Sequence, residues 1–315
     1  RTSVTLNPPV NIPLVTNDHQ DICISTAGLL AAKWTSLKFN QSTRFVIKDT
    51  QNSTFKALRT ISHRINDFLT LVCGQPVEVQ HMGVVCADGQ VVKVYFQPIR
   101  AARKPFSPGK VLLRLTDSSS NQIGSMLSEW LSKYEHLRSS FDLYFATIYN
   151  PGAYSKERFL SLARAIEAYH RCTYSNCDID PDEHDKRVEE VISAVPKTHQ
   201  EWLRKQLLFS NEPSLRKRLQ DLMRDPANVI FPDHKLQKKL VQATVETRHS
   251  LTHPDPTQDA KTKHNILVPL TEWLNILMEF LMFKETGLDV QELQIFRSKY
   301  SARLDWLMKL LKNMD

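Results

Sequence analysis

The spacing of apolar residues changes character near residue 117, and that change limits the chain to two kinds of structure in succession. Ahead of it, apolar residues alternate over short runs. Val77, Val79, Met82 and Val84 are followed by Asp88-Gly89 and then Val91 to Phe96, which reads as a hairpin with its turn at the Asp-Gly pair. Beyond it, Ile123, Leu127, Trp130, Leu131 and Tyr134 recur at a helical period, continued by Leu137, Phe141, Tyr144 and Phe145. A chain of 315 residues is also long for one bundle. The expected architecture is therefore α+β and multidomain. A small strand-containing domain over 1–116 precedes an all-helical domain over 117–315, with the polar, serine-rich 116–122 stretch as the boundary.

Within the first domain, residues 1–20 read as irregular because Pro8, Pro9 and Pro13 interrupt them. Arg44–Ile47 reads as a short strand, Phe55–Leu71 as a helix and Val111–Leu115 as a last strand. In the second, Asn150-Pro151-Gly152 breaks one helix and Ser155 is placed to cap the next. Helices are expected from about His184 to Val195, after a cap at Thr198, after a cap at Ser214, and, opened by Pro232-Asp233, from His234 to about Thr252, where His253-Pro254 stops it. Asn265–Phe283 is the most apolar segment, with Pro269 in its first turn and Gly287 ending it. Two short helices, about 289–299 and 301–313, complete the series.

Charge is divided unevenly. Residues 1–116 hold 14 Lys and Arg against 6 Asp and Glu, a net +8, and residues 117–315 hold 27 against 28, a net −1. A basic domain attracts phosphate polymers through a salt-sensitive field, and it also simply keeps a protein in solution; both readings stand. No run approaches 18 apolar residues without a charge, so no membrane span is expected. The five cysteines form no CxxC, which fits reduced thiols in a cytoplasmic protein and no zinc quartet. The chain opens at Arg1 without a leader, as a fragment or processed chain would.

The segment most suggestive of chemistry is Glu246-Thr247-Arg248-His249-Ser250-Leu251-Thr252-His253-Pro254. An arginine can bind nonbridging phosphate oxygens and offset charge in a phosphoryl transition state. A histidine exchanges protons near neutrality. Together they could let a 2′-hydroxyl attack its own phosphodiester without a metal. Five residues of ideal helix turn about 500°, so Arg248 and His253 share a face only if His253, next to Pro254, leaves the helical path and turns back. The plainer alternative is that Arg248 pairs with a nearby carboxylate and His253 finishes a helix.

Arg248 to His253 resembles the Arg-x4-6-His signature of HEPN-type ribonucleases. Tyr149-Asn150-Pro151-Gly152-Ala153-Tyr154-Ser155-Lys156-Glu157-Arg158-Phe159-Leu160-Ser161-Leu162, with Ala165-Ile166-Glu167-Ala168-Tyr169-His170-Arg171, resembles the ApeA-like HEPN domain of bacterial anti-phage proteins. The resemblance covers roughly 117–300, with residues 1–116 as the remainder of an ApeA-type amino-terminal domain. It implies a helical bundle that dimerises, a composite site needing no cofactor, and cleavage of host RNA, with tRNA as a candidate. The products carry a cyclic phosphate and a 5′-hydroxyl, and a phage-derived trigger starts the reaction. Mapped here, Arg248 binds phosphate and His253 transfers the proton. His249 stands where the family often has Asn; it could orient phosphate, serve as a second base, or be a helix residue whose i+4 neighbour is His253. Glu167 and His170, with Arg171 as the i+4 partner of Glu167, either brace the motif helix, take part in cleavage directly or recognise RNA. Lys235, Lys238 and Lys239 are either a solvated face or phosphate contacts. Tyr149 and Tyr154 could stack on bases or anchor packing. A catalytically idle helical module that binds RNA, nucleotide or protein is the competing reading.

Overall fold

The structure is a computed structural model that describes residues 10–16, 20–33, 36–49, 54–86, 88–96, 111, 120–224, 230, 233–253, 264–288 and 290–312. It divides into two compact units, Arg1–Glu135 with Phe283–Leu288, and His136–Met282 with Asp289–Asp315. The boundary expected at 116/117 lies outside the described residues.

In the first unit, β1 (Val10–Thr16), β2 (Gln20–Lys33) and β3 (Ser36–Asp49) form an antiparallel sheet in that order. Residues 10–16 and 20, expected to be irregular, are strand. Pro13 is tolerated because it lies on an edge strand, where the register slips between Pro13 and Val15. The strand expected at Arg44–Ile47 is part of the longer β3, which pairs with β2 from Gln20↔Asp49 to Lys33↔Ser36. Val15, Ile22 and Ile24 are buried.

Helix α1 (Phe55–Cys73) starts where the Thr54 hydroxyl accepts the Ala57 N–H. It ends at Gly74, whose φ of 61° is open to glycine at little cost. Its later turns bury Ile65, Phe68, Leu71 and Val72. Phe68 meets Trp130 of α2 (Ser120–Tyr149) at 6.0 Å between ring centroids. The Trp130 indole donates to the Arg64 carbonyl at 2.9 Å, and the Tyr134 hydroxyl donates to Asp67 at 2.6 Å. The expected hairpin is present as β4 (Met82–Val85) and β5 (Val91–Val94), closed through Asp88 and a left-handed Gly89. The strand is shorter than the alternation from Val77 suggested: residues 76–81 are irregular, and the Val77 N–H is held by the Thr70 hydroxyl instead of a neighbouring strand. Val111 is not in a strand, and 112–115 lie outside the described residues.

The second unit is helical: the later half of α2, then α3 (Ser155–Thr173), α4 (Pro181–Ser193), α5 (Lys197–Leu207), α6 (Leu215–Arg224), α7 (His234–Thr252), α8 (His264–Glu285) and α9 (Val290–Lys312). Asp180, Ser214 and Asp233 cap α4, α6 and α7 through their side chains. Ser155 and Thr198 do not act as caps. Each lies inside its helix, and extended backbone at Tyr154 and Pro196 starts the turn with no side-chain bond. Pro269 is the sixth residue of α8, past the first turn where its missing N–H would cost nothing. The two short terminal helices are one continuous α9, because Ser301 is neither glycine nor proline and simply lies on the exposed side after buried Tyr300.

Helix α8 is the core of this unit, with Leu267, Leu270, Trp273, Leu274, Ile276 and Leu277 all at 0% exposure. Its Ile266–Glu285 stretch is long and apolar enough to cross a membrane, with mean hydropathy 1.5, yet 78% of it is buried within the protein. That is the pattern of a helix apolar on all sides because it is packed on all sides. A charged polar network lies within this core. Glu279 accepts from Tyr144 of α2, Asn275 of α8 and Arg303 of α9, and Arg303 also donates to Glu272. Burial opposes the Arg303 charge, but the two carboxylates outweigh it and hold the guanidinium firmly protonated.

Candidate active site at the end of helix α7

Helix α7 presents two faces set by its sequence. Gln237, Leu240, Val241, Thr244 and Thr247 recur at spacings of three and four and are buried. Arg248, one residue after Thr247, falls near the same side. Its guanidinium reaches Glu167 of α3 at 3.7 Å, with 41% of the arginine side chain and 25% of the carboxylate side chain exposed. Lys235, Lys238, His249 and His253 are exposed. Lys239 is half-buried.

The carboxyl end of α7 is tied off locally. The Thr252 hydroxyl donates to the carbonyls of Arg248 and His249, and the His253 N–H still donates to the His249 carbonyl at 2.9 Å. His253 leaves the helix only after this bond, at φ −129° and ψ 68°. Its side chain therefore leaves the backbone on another side of the helix from that of Arg248. It lies beside the His249 ring, with centroids 5.2 Å apart and planes tilted by 45°. The reason is rotational: four residues advance about 400°, close to one full turn, whereas five leave Arg248 and His253 about 140° apart. The two imidazoles thus come together, and the arginine is held separately by a carboxylate.

Glu167 belongs to a polar network that the sequence reading only partly contained. His170, one turn further along α3, is 1% exposed. Arg218 of α6, 3% exposed, donates from Nη1 to His170 Nδ1 at 3.1 Å, from Nη2 to Asn176 at 2.6 Å and from Nε to the Pro213 carbonyl at 2.9 Å. A guanidinium has only donors, so His170 Nδ1 must accept and the proton sits on Nε2, which faces Asp221 at 3.4 Å. The ring is stacked against Tyr174 at 4.6 Å. Burial holds the His170 imidazole below its ordinary value, with the Asp221 hydrogen bond opposing and the Arg218 charge adding to the effect. Burial likewise lowers Arg218, helped by Arg171 and resisted by the negative charges of Glu167 and Glu212. Glu167 therefore acts electrostatically on two arginines, Arg248 and Arg218. Arg171 faces outward and binds Glu212 at 2.8 Å.

His170 is thus a packed, neutral member of the scaffold, and Glu167 is the α3 residue that touches the motif. Arg218, Asp221, Asn176 and Glu212 carry no motif that marks them in the sequence. For Arg218 a signal was present: Leu215, Arg218, Leu219 and Leu222 share the apolar side of α6, and an arginine on such a stripe needs buried acceptors. Tyr154 is exposed at the surface, and Tyr149 is stacked on Phe145 at 5.8 Å. Helices α6 and α7 together carry Arg216, Lys217, Arg218, Arg224, Lys235, Lys238, Lys239 and Arg248 against Asp221 and Glu246, a net +6 in a region of 117–315 whose total is −1. Among the described residues, no three or more His, Cys, Asp or Glu side chains are grouped to hold a metal ion.

The Apea-like HEPN family matches residues 160–292, a span that includes Glu167, Arg218 and the whole of Arg248–His253. No curated protein and no solved structure matches the chain.

Proposed function

From the match of residues 160–292 to the Apea-like HEPN family, we propose that this protein is a metal-independent endoribonuclease of anti-phage defence, cutting host RNA, with tRNA as the candidate substrate, in the cytoplasm of an infected cell. The observation that carries the reading is the coincidence of the family match with the end of α7. Arg248 is paired there with Glu167, two exposed imidazoles lie side by side at the same helix end, and the surrounding α6–α7 pair is basic. In this reading Arg248 binds the scissile phosphate and offsets charge as the phosphorane forms. In the same reading His253 takes the proton from the 2′-hydroxyl, and His249 protonates the leaving 5′-oxygen. The products are a 2′,3′-cyclic phosphate and a 5′-hydroxyl. A dimer through the helical domain would bring two such helix ends to one RNA, and a phage-derived trigger would license the cut.

The same ion pair favours a second reading. Glu167 already neutralises Arg248 in part, as it would in a domain that has kept its fold and lost its reaction, and binds RNA, nucleotide or protein. Wild type, Arg248→Ala and His253→Ala incubated with total tRNA in excess chelator separate the two. Chelator-resistant cleavage by wild type, lost in both folded variants, is expected; loss of Arg248 should cost several kcal/mol, on the order of 3, and loss of His253 about 100- to 10,000-fold in rate. Equal cleavage by all three would reject the assignment. No cleavage even in phage-infected cells would favour the idle module. Light scattering on the same samples should report a dimer.

A further inference from the structure

The geometry points to a metal site at the end of α7: we infer that His249 and His253 together bind one divalent late-transition-metal ion of the nickel, zinc or copper class. Binding itself does not depend on the nuclease reading.

Three observations carry it. The first is distance. Two imidazoles bound to one ion at about 2.1 Å per nitrogen, with ring centroids about 1.2 Å further out, stand about 4.7–5.4 Å apart for angles of about 90–110° at the metal. The His249 and His253 centroids are 5.2 Å apart. The second is availability. Both side chains are exposed, and among the described residues neither ring has a hydrogen-bond partner, so a lone pair on each is free for an ion. The third is rigidity. The backbone between them is fixed by the His253 N–H bond to His249 and by the Thr252 hydroxyl on the Arg248 and His249 carbonyls. A second ligand held in place by the helix makes binding of the first far tighter than one imidazole alone.

Charge does not oppose the site. Arg248, the nearest cation in sequence, is turned to Glu167. Glu246, exposed and one turn before His249, supplies a negative field. Two protein nitrogens leave the remaining coordination positions to water, so the ion would exchange readily. In the nuclease reading, an ion here takes the lone pairs needed for proton transfer, and the metal would act as an inhibitor of a reaction that does not use one.

Calorimetric titration of the full chain with Ni²⁺ tests the site, since nickel suits imidazole and avoids the thiol preference of zinc and copper(I). Wild type, His249→Ala, His253→Ala and the double variant are compared, with circular dichroism as a fold check; both residues are exposed, so folding should be retained. The expected result is one wild-type Ni²⁺ site weakened about tenfold or more by either single change, with the double variant no weaker than the singles. Wild-type affinity in either single variant, or independent losses that add in the double variant, would overturn the inference. No RNA enters the measurement, so its outcome is separate from that of the cleavage assay.

Discussion

Glu167 holds Arg248 at 3.7 Å across the contact between α3 and α7, and the same carboxylate opposes the lowering of Arg218. The pair is partly exposed, so it contributes little to stability, on the order of 0–1 kcal/mol. Its importance lies in direction: it fixes where the guanidinium points. Glu167→Ala should leave the unfolding midpoint nearly unchanged and lower kcat for RNA cleavage about tenfold, as loss of an orienting partner commonly does. Glu167→Gln, which keeps the shape and a polar oxygen but loses the charge, should recover part of the rate. Unchanged kcat in the alanine variant would show that Arg248 needs no such alignment.

Arg218 should behave in the opposite way. Its three donor groups each meet an acceptor, and it is 3% exposed. Arg218→Ala leaves His170 Nδ1, Asn176 and the Pro213 carbonyl without their donor, a loss of about 2–4 kcal/mol. Urea denaturation followed by far-ultraviolet circular dichroism reads this directly. A change under about 0.5 kcal/mol would mean that water replaces the arginine.

The His170 environment predicts a dependence on pH. Its folded value lies below the ordinary imidazole value, so the unfolded chain binds a proton first as pH falls. The contribution of neutral His170 is complete above about pH 6.5 and is lost progressively as pH drops from there toward the folded value. The thermal midpoint of wild type should therefore fall between pH 7.5 and 5.5, and His170→Gln should flatten that slope. Some slope will remain, because burial and Arg59 lower His63 in the same direction. An identical slope in wild type and His170→Gln would contradict the proton assignment.

Lys235 and Lys238 lie on the exposed side of α7 with His249 and His253. If this side faces RNA, Lys235→Ala with Lys238→Ala should weaken tRNA binding and reduce the dependence of log Kd on log salt by about 0.7–0.9 per lysine. Fluorescence anisotropy over a salt series measures the slope. An unchanged slope would make both lysines part of a solvated face.

Helix positions were legible in the sequence because their causes are local. The Asp233 cap, the apolar spacing from Gln237 to Thr247 and the His253 stop all act within a few residues of where they are written. The Asp88-Gly89 hairpin was legible for the same reason. β1 and β2 were not: a strand depends on a partner, and the pairing of Ile22 with Ile47 or of Ile12 with Ile24 is absent from the local string. The site divides along the same line. The sequence alone determined that Arg248, His249 and His253 occupy the end of one helix, and helical rotation alone sets His249 beside His253. Only the tertiary structure decided that Arg248 meets Glu167, that His170 is buried beneath Arg218, and that both arginines share one carboxylate's field. Those relations join residues 48 to 81 positions apart, and an arginine's partner is chosen by which helix packs against it, not by its neighbours in the chain.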